Sequence, residues 1–146
     1  MVFRAVVLAL AAGQIWTTRY VIDADGTAYV DVARAWLRGD WIHALNAYWS
    51  PLNIWLFTTA FAIFSPSARW ELPLIHAVAL VGFIAAFAAW EWLFYEWESW
   101  QGVSSHPVLT DAAGYCVVAW AGLGLTGLGW FNSADVLVMA LLLAAT

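Results

Sequence analysis

The chain has 146 residues, enough for one ordinary domain, but only 10% are charged and 64% are hydrophobic, against about 25% charged in typical soluble domains. A formal charge of −5, with no lysine and five arginines, leaves no basic face to neutralise phosphates, which argues against a nucleic-acid partner. The single Cys116 sits in an apolar run, so neither a disulfide framework nor a cysteine-based metal site is expected.

A membrane-crossing helix needs roughly 20 apolar residues. The first candidate, near 2–22, is interrupted by Arg4, Gln14, Thr17, Thr18 and Arg19. It also fits a secretory signal, with a short basic start and small residues at Ala9 to Gly13. In either case the later apolar segments keep the chain in a membrane.

Next comes a polar, aromatic-rich island, near 23–70, that hydrocarbon would not accept. Asp23, Asp25, Asp31 and Asp40 fall within it, in a chain with only ten acidic residues. Charge beside hydrocarbon is costly, which makes such a cluster a functional-site candidate. Gly26 to Arg38 reads as an amphipathic helix: Tyr29, Val32, Ala33, Trp36 and Leu37 share one face, and Asp31, Arg34 and Arg38 the other. Asp31 and Arg34 are spaced to pair, and Gly39 suits the helix end. Too short to cross, this helix suits the membrane surface. Pro51 to Phe64 is a second short apolar helix with Pro51 in its first turn, broken by Ser65-Pro66-Ser67.

The second crossing is expected near 71–97, with His76 and Glu91 inside it. Trp90, Trp92, Phe94, Tyr95, Trp97 and Trp100 mark its far end, at the depth where amphipathic rings collect. His76 is read as satisfying a neighbouring helix, and Glu91 has no assigned role. A loop over 100–111 leads to a third span near 112–131, rich in the small residues that let membrane helices approach. Asn132 to Asp135 form a turn before a fourth apolar run, near 136–146. That run is still apolar at Thr146, so the sequence reads as the N-terminal part of something longer. The expected fold is all-α: a polytopic membrane helix bundle of about four spans, the last truncated, with interfacial helices between the first and second. Two crossings separate the island from Asp135, placing both on one side of the membrane. The arginine count puts that side in the cytoplasm.

Asp25, followed by Gly26-Thr27 at a helix start, is a good N-cap, and Asp23 would serve a slightly earlier start. The alternative for either is a carboxylate at the lip of a membrane cavity, acting as general base on a hydroxyl. Asp135 also stands at a helix start, where the dipole favours a carboxylate. Two carboxylates from distant parts of the chain suit one substrate or one divalent cation, such as Mg or Mn. His43, beside Asp40, reads as a hydrogen-bonded surface group. Arg34 and Arg38 form a solvated face, or else bind a lipid-linked phosphate.

Asp25-Gly26-Thr27-Ala28-Tyr29, then Leu37-Arg38-Gly39-Asp40-Trp41, then Tyr48-Trp49-Ser50-Pro51-Leu52 resemble the first extramembrane loop of bacterial GT-C glycosyltransferases. The closest pattern is that of the aminoarabinose transferase and protein O-mannosyltransferase group. The resemblance covers the whole chain but only about the first third of a family member. It implies transfer of a sugar from a polyprenyl-phosphate donor to a hydroxyl of a glycan, lipid or protein acceptor. The place would be the outer face of the bacterial inner membrane, opposite to the side the arginine count gives. By position Asp25 takes the role of base and Asp135 that of second carboxylate. Asp23, Tyr29, Arg34, Arg38 and Trp49 are the substrate-binding candidates. The chain departs from the family in lacking basic residues over 100–111 and in offering Asp23 as an extra acid. The alternatives are a non-catalytic membrane scaffold or lipid-binding protein, and a transporter.

Overall fold

The computed structural model describes residues 2–45, 48–101, 107–120 and 142. Among them every regular element is helical. In chain order these are α1 (Val2–Thr18), α2 (Ala24–Arg38), α3 (Trp41–Ala44), α4 (Pro51–Phe64), α5 (Ala68–Gln101) and α6 (Pro107–Ala119).

Among the described residues one helix is long and apolar enough to cross a membrane: α5, with a mean hydropathy of 2.2 over its most apolar window. At 34 residues it is about 51 Å long at 1.5 Å per residue. The first candidate span is shorter than expected. α1 is 17 residues, about 26 Å by the same rise, and ends at Thr18 rather than Ile22. Its end is chemically marked: the Thr17 and Thr18 hydroxyls both donate to the Gln14 carbonyl, at 2.8 and 2.9 Å. Side chains that bond back to the preceding turn satisfy its carbonyls where the helix stops.

α6 begins at Pro107, inside the stretch expected as loop. Proline is well placed at a helix start, because its missing N–H would have had no intrahelical partner there. The third expected span is therefore described only over its first part. The fourth, near 136–146, lies outside the described residues except for Leu142. A four-span bundle is thus an expectation that the described helices meet only in its all-α character and its one long span.

The island folds as three short helices, α2 to α4, beside the long α5. α2 packs chiefly on α4, and α4 in turn on α5. Tyr29, Val32 and Ala33 of α2 are buried as their spacing predicts, joined by Val30 and Ala35. Trp36 is only partly buried and Leu37 is exposed, so the buried face is rotated towards α4. Tyr29, Val30, Val32 and Ala33 form one cluster with Ile54, Phe57 and Phe61 of α4 and Ile75 of α5. A second cluster joins Val7, Ala11 and Ile15 of α1 to Phe83 and Phe87 of α5 and Tyr115 of α6. α5 runs through both clusters and is the beam on which the island rests.

Two residues with positive φ close α2 and α4. Gly39 has φ 69° and its N–H bonds back to the Ala35 and Trp36 carbonyls, the expected C-terminal turn. Ser65, at φ 43°, does the same for α4 through the Phe61 carbonyl at 2.9 Å.

Candidate functional site

The first question at the island is which aspartate caps α2. The chain leaves α1 at Thr18, and Asp23 has an extended backbone at φ −88° and ψ 178°. Its Oδ1 accepts from the Gly26 N–H at 2.6 Å, and its carbonyl accepts from the Thr27 hydroxyl at 2.9 Å. Asp23 is thus the N-cap. Asp25 lies in the first helical turn, exposed, where the helix dipole favours a carboxylate. No described side chain or backbone N–H is bonded to its carboxylate. Of the two roles open to Asp25, capping is already filled by its neighbour.

Tyr29 is one helical turn further on, and 6% exposed. Its ring meets Trp49 edge-on at 5.1 Å and Phe57 at 6.4 Å. Its hydroxyl accepts from the Ser50 N–H at 3.4 Å. Tyr29 therefore holds the approach to α4 against α2. Trp49 is half-buried and lies edge-on to Tyr48 at 4.7 Å. The aromatic motif of the sequence is one packed unit that brings the Tyr48–Pro51 stretch back over the α2 face.

Arg34 is committed to carboxylates. It pairs with Asp31 at 3.6 Å, as the spacing predicts, and with Glu71 at the start of α5. Arg38 is exposed in the last turn of α2, where a cation complements the helix dipole. Asp40 caps α3, accepting from the His43 N–H at 3.5 Å and meeting its Nδ1 at 2.8 Å. The His43 ring bond holds the Asp40 carboxyl below its ordinary range. His43 is thus the hydrogen-bonded surface group its position suggests.

Asp135 lies outside the described residues, so its convergence with Asp25 stays an expectation. Among the described residues no three His, Cys, Asp or Glu side chains gather as a metal site. A cation held by Asp25 and Asp135 would draw on residues beyond them.

Three side chains here have partners that the sequence did not name; His76, read there as satisfying a neighbouring helix, bonds instead to the link after α1. Glu71 pairs with Arg34 across 37 positions. His76, 1% exposed, donates from Nε2 to the Val21 carbonyl at 2.8 Å, tying α5 to the chain just before Asp23. Glu91, given no role above, pairs with Arg4 and accepts from the Tyr115 hydroxyl at 2.6 Å. A polar residue inside an apolar span was the available signal for the last two, since such groups are retained where a partner satisfies them.

A groove of about 700 Å³ lies beside the island, between the end of α1, the α4–α5 turn and the first half of α5. Among the described residues Arg19 is the one charged residue lining it, and Asp25 is not part of its wall. No protein family, curated protein or solved structure matches this chain.

Proposed function

We propose that the chain is the N-terminal catalytic portion of an integral membrane glycosyltransferase, with α5 crossing the bilayer and the island outside it. Asp25 takes the proton of an acceptor hydroxyl as that oxygen attacks the anomeric carbon of the donor. The bond between that carbon and the phosphate oxygen breaks, and the polyprenyl phosphate leaves with the bonding pair. Such general-base assistance contributes typically about 10²–10⁴-fold.

The observation that carries this reading is the division of labour between two aspartates two residues apart. Asp23 makes the capping hydrogen bond at 2.6 Å, and Asp25 stands exposed beside it with its carboxylate uncommitted among the described residues. A second observation supports the outer side for the island. Arg34 is ion-paired to Glu71 and Asp31, which reduces its weight in an arginine count along the loop.

The rival is a membrane scaffold or lipid-binding protein. It is favoured by the dense packing of Tyr29, which leaves that ring little freedom to meet a substrate. One experiment separates the two. Asp25→Asn and Asp23→Asn are compared in the full reading frame for sugar transfer from a polyprenyl-phosphate donor. Loss of about 10²-fold or more at Asp25, with a milder, stability-linked loss at Asp23, is the expected result. Near-normal turnover of Asp25→Asn removes the base.

A further inference from the structure

The groove between α1 and α5 is built from two helical stripes. Ala12, Ile15, Trp16 and Arg19 follow the i, i+3, i+4, i+7 spacing on and just past α1, and Trp70, Pro73, Leu74, Ala77 and Leu80 face them along α5. Phe64 to Ser67 close the upper end. From Trp70 to Leu80 the trough runs about 15 Å at the helical rise. Below its rim the lining is apolar.

The rim is cationic. Arg19 stacks over Trp16, with its guanidinium carbon 4.3 Å from the ring centroid, and over Tyr20 at 4.9 Å. It also donates to the Trp16 carbonyl. Arg69 immediately precedes the groove residue Trp70, and Arg69 first, with Arg19, holds the Tyr20 phenol below its ordinary range. Among the described residues the ion pairs are Arg4–Glu91, Arg34 with Asp31 and Glu71, and His43–Asp40. Neither Arg19 nor Arg69 takes part in one. Arg19 in the wall and Arg69 beside Trp70 therefore bring two cations to one end of an apolar trough, and neither is ion-paired to a described carboxylate.

An apolar trough under two cations complements a molecule that is a hydrocarbon chain under an anion. We infer that the groove holds one anionic glycerophospholipid, its acyl chain along α1 and α5 and its phosphodiester between Arg19 and Arg69. The guanidinium fork suits phosphate oxygens, and cations near the surface favour anionic headgroups. The lining also argues against a sugar donor as occupant. Among the described residues no carboxylate is part of it, and neither Asp25, Tyr29 nor Trp49 reaches it, so a glycosyl phosphate seated there would face no described base. The inference rests on the reading that α5 crosses a bilayer, and is independent of whether Asp25 is catalytic.

The test is native mass spectrometry of the purified, delipidated full-length protein. It is titrated in parallel with phosphatidylglycerol, phosphatidylcholine and a polyprenyl phosphate. One phosphatidylglycerol should be retained about tenfold more strongly than phosphatidylcholine. Replacing both cations, Arg19→Gln with Arg69→Gln, should abolish that preference, while the Arg19→Lys, Arg69→Lys pair should keep it. Equal retention of the two glycerophospholipids, a preference surviving the Gln pair, or one lost with the Lys pair overturns the site. A polyprenyl phosphate displacing phosphatidylglycerol at equal concentration overturns the assignment of its occupant. Alkaline carbonate extraction tests the premise separately. A wild-type chain released from membranes sinks the membrane reading and this site with it. A retained chain without lipid preference sinks the site alone.

Discussion

Arg34 of α2 is ion-paired with Glu71, four residues into α5, so one charged contact fastens the island to the long helix. The pair is partly exposed, with side-chain exposures of 40% and 21%, and screening by solvent limits its worth to about 1 kcal/mol. Arg34→Ala and Glu71→Ala should each lower stability by a similar amount, and the double variant should cost less than their sum. A double-mutant cycle on thermal unfolding in detergent reads this coupling. Strict additivity would show that the contact contributes nothing to holding the two helices together.

The two aspartates at the head of α2 should separate stability from chemistry. Asp23→Ala removes the cap and should cost about 1 kcal/mol, with faster amide exchange at Gly26, whose N–H the cap holds. Asp25→Ala touches no described hydrogen bond and should cost about 0.5 kcal/mol or less. Equal destabilisation by the two would mean that both carboxylates serve the helix end.

Gly114 sets how closely α6 approaches α5. A Cβ built on Gly114 would lie 2.6 Å from Cε2 of Phe94 and 2.7 Å from its Cζ, well inside van der Waals contact. Gly114→Ala should therefore cost about 1–3 kcal/mol through overpacking. The smaller side chain of Phe94→Leu should recover part of that loss in the double variant. Unfolding midpoints of the two single variants and the double decide it; no recovery would place the strain elsewhere.

Acidification should act visibly at α3. The Asp40 carboxyl is held below its ordinary range, first by the His43 ring and against a smaller opposing effect of burial. A carboxyl depressed in the folded state stabilises above its unfolded pKa, and that contribution is lost as pH falls through the lowered folded value. The α3 cap should therefore survive mild acid and fail only below the usual aspartate range. The chemical shift of the His43 amide through an acid titration reports it. A midpoint at or above the ordinary aspartate value would contradict the depression.

Local features of the island were legible in the sequence because they depend on neighbours a few positions apart. Gly39 as a left-handed helix end, Pro51 in the first turn of α4, the Asp31–Arg34 pair and burial of Tyr29, Val32 and Ala33 all follow from spacing. The choice of cap was not legible. Asp23 and Asp25 are both suited to it, and the outcome turns on α1 ending at Thr18 and on where the extended link then begins. Nor were the partners of Glu71, His76 and Glu91 legible, since each reaches a residue more than twenty positions away. Periodicity tells which face is buried but not which helix meets it. The sense of the Asp25–Asp135 pairing belongs to the same class, and Asp135 lies outside the described residues.

Glu71 and Glu91 stand twenty residues apart on α5, about 30 Å along its axis, which is one hydrocarbon thickness. Each is paired with an arginine of a different helix, Glu71 with Arg34 and Glu91 with Arg4. In a bilayer the helix would carry its own depth gauge. Sliding it by one turn in either direction would draw one of the two ion pairs towards hydrocarbon while moving the other further into water. The island would then keep a fixed height above the lipid, and residues 92–101 would project beyond the far face.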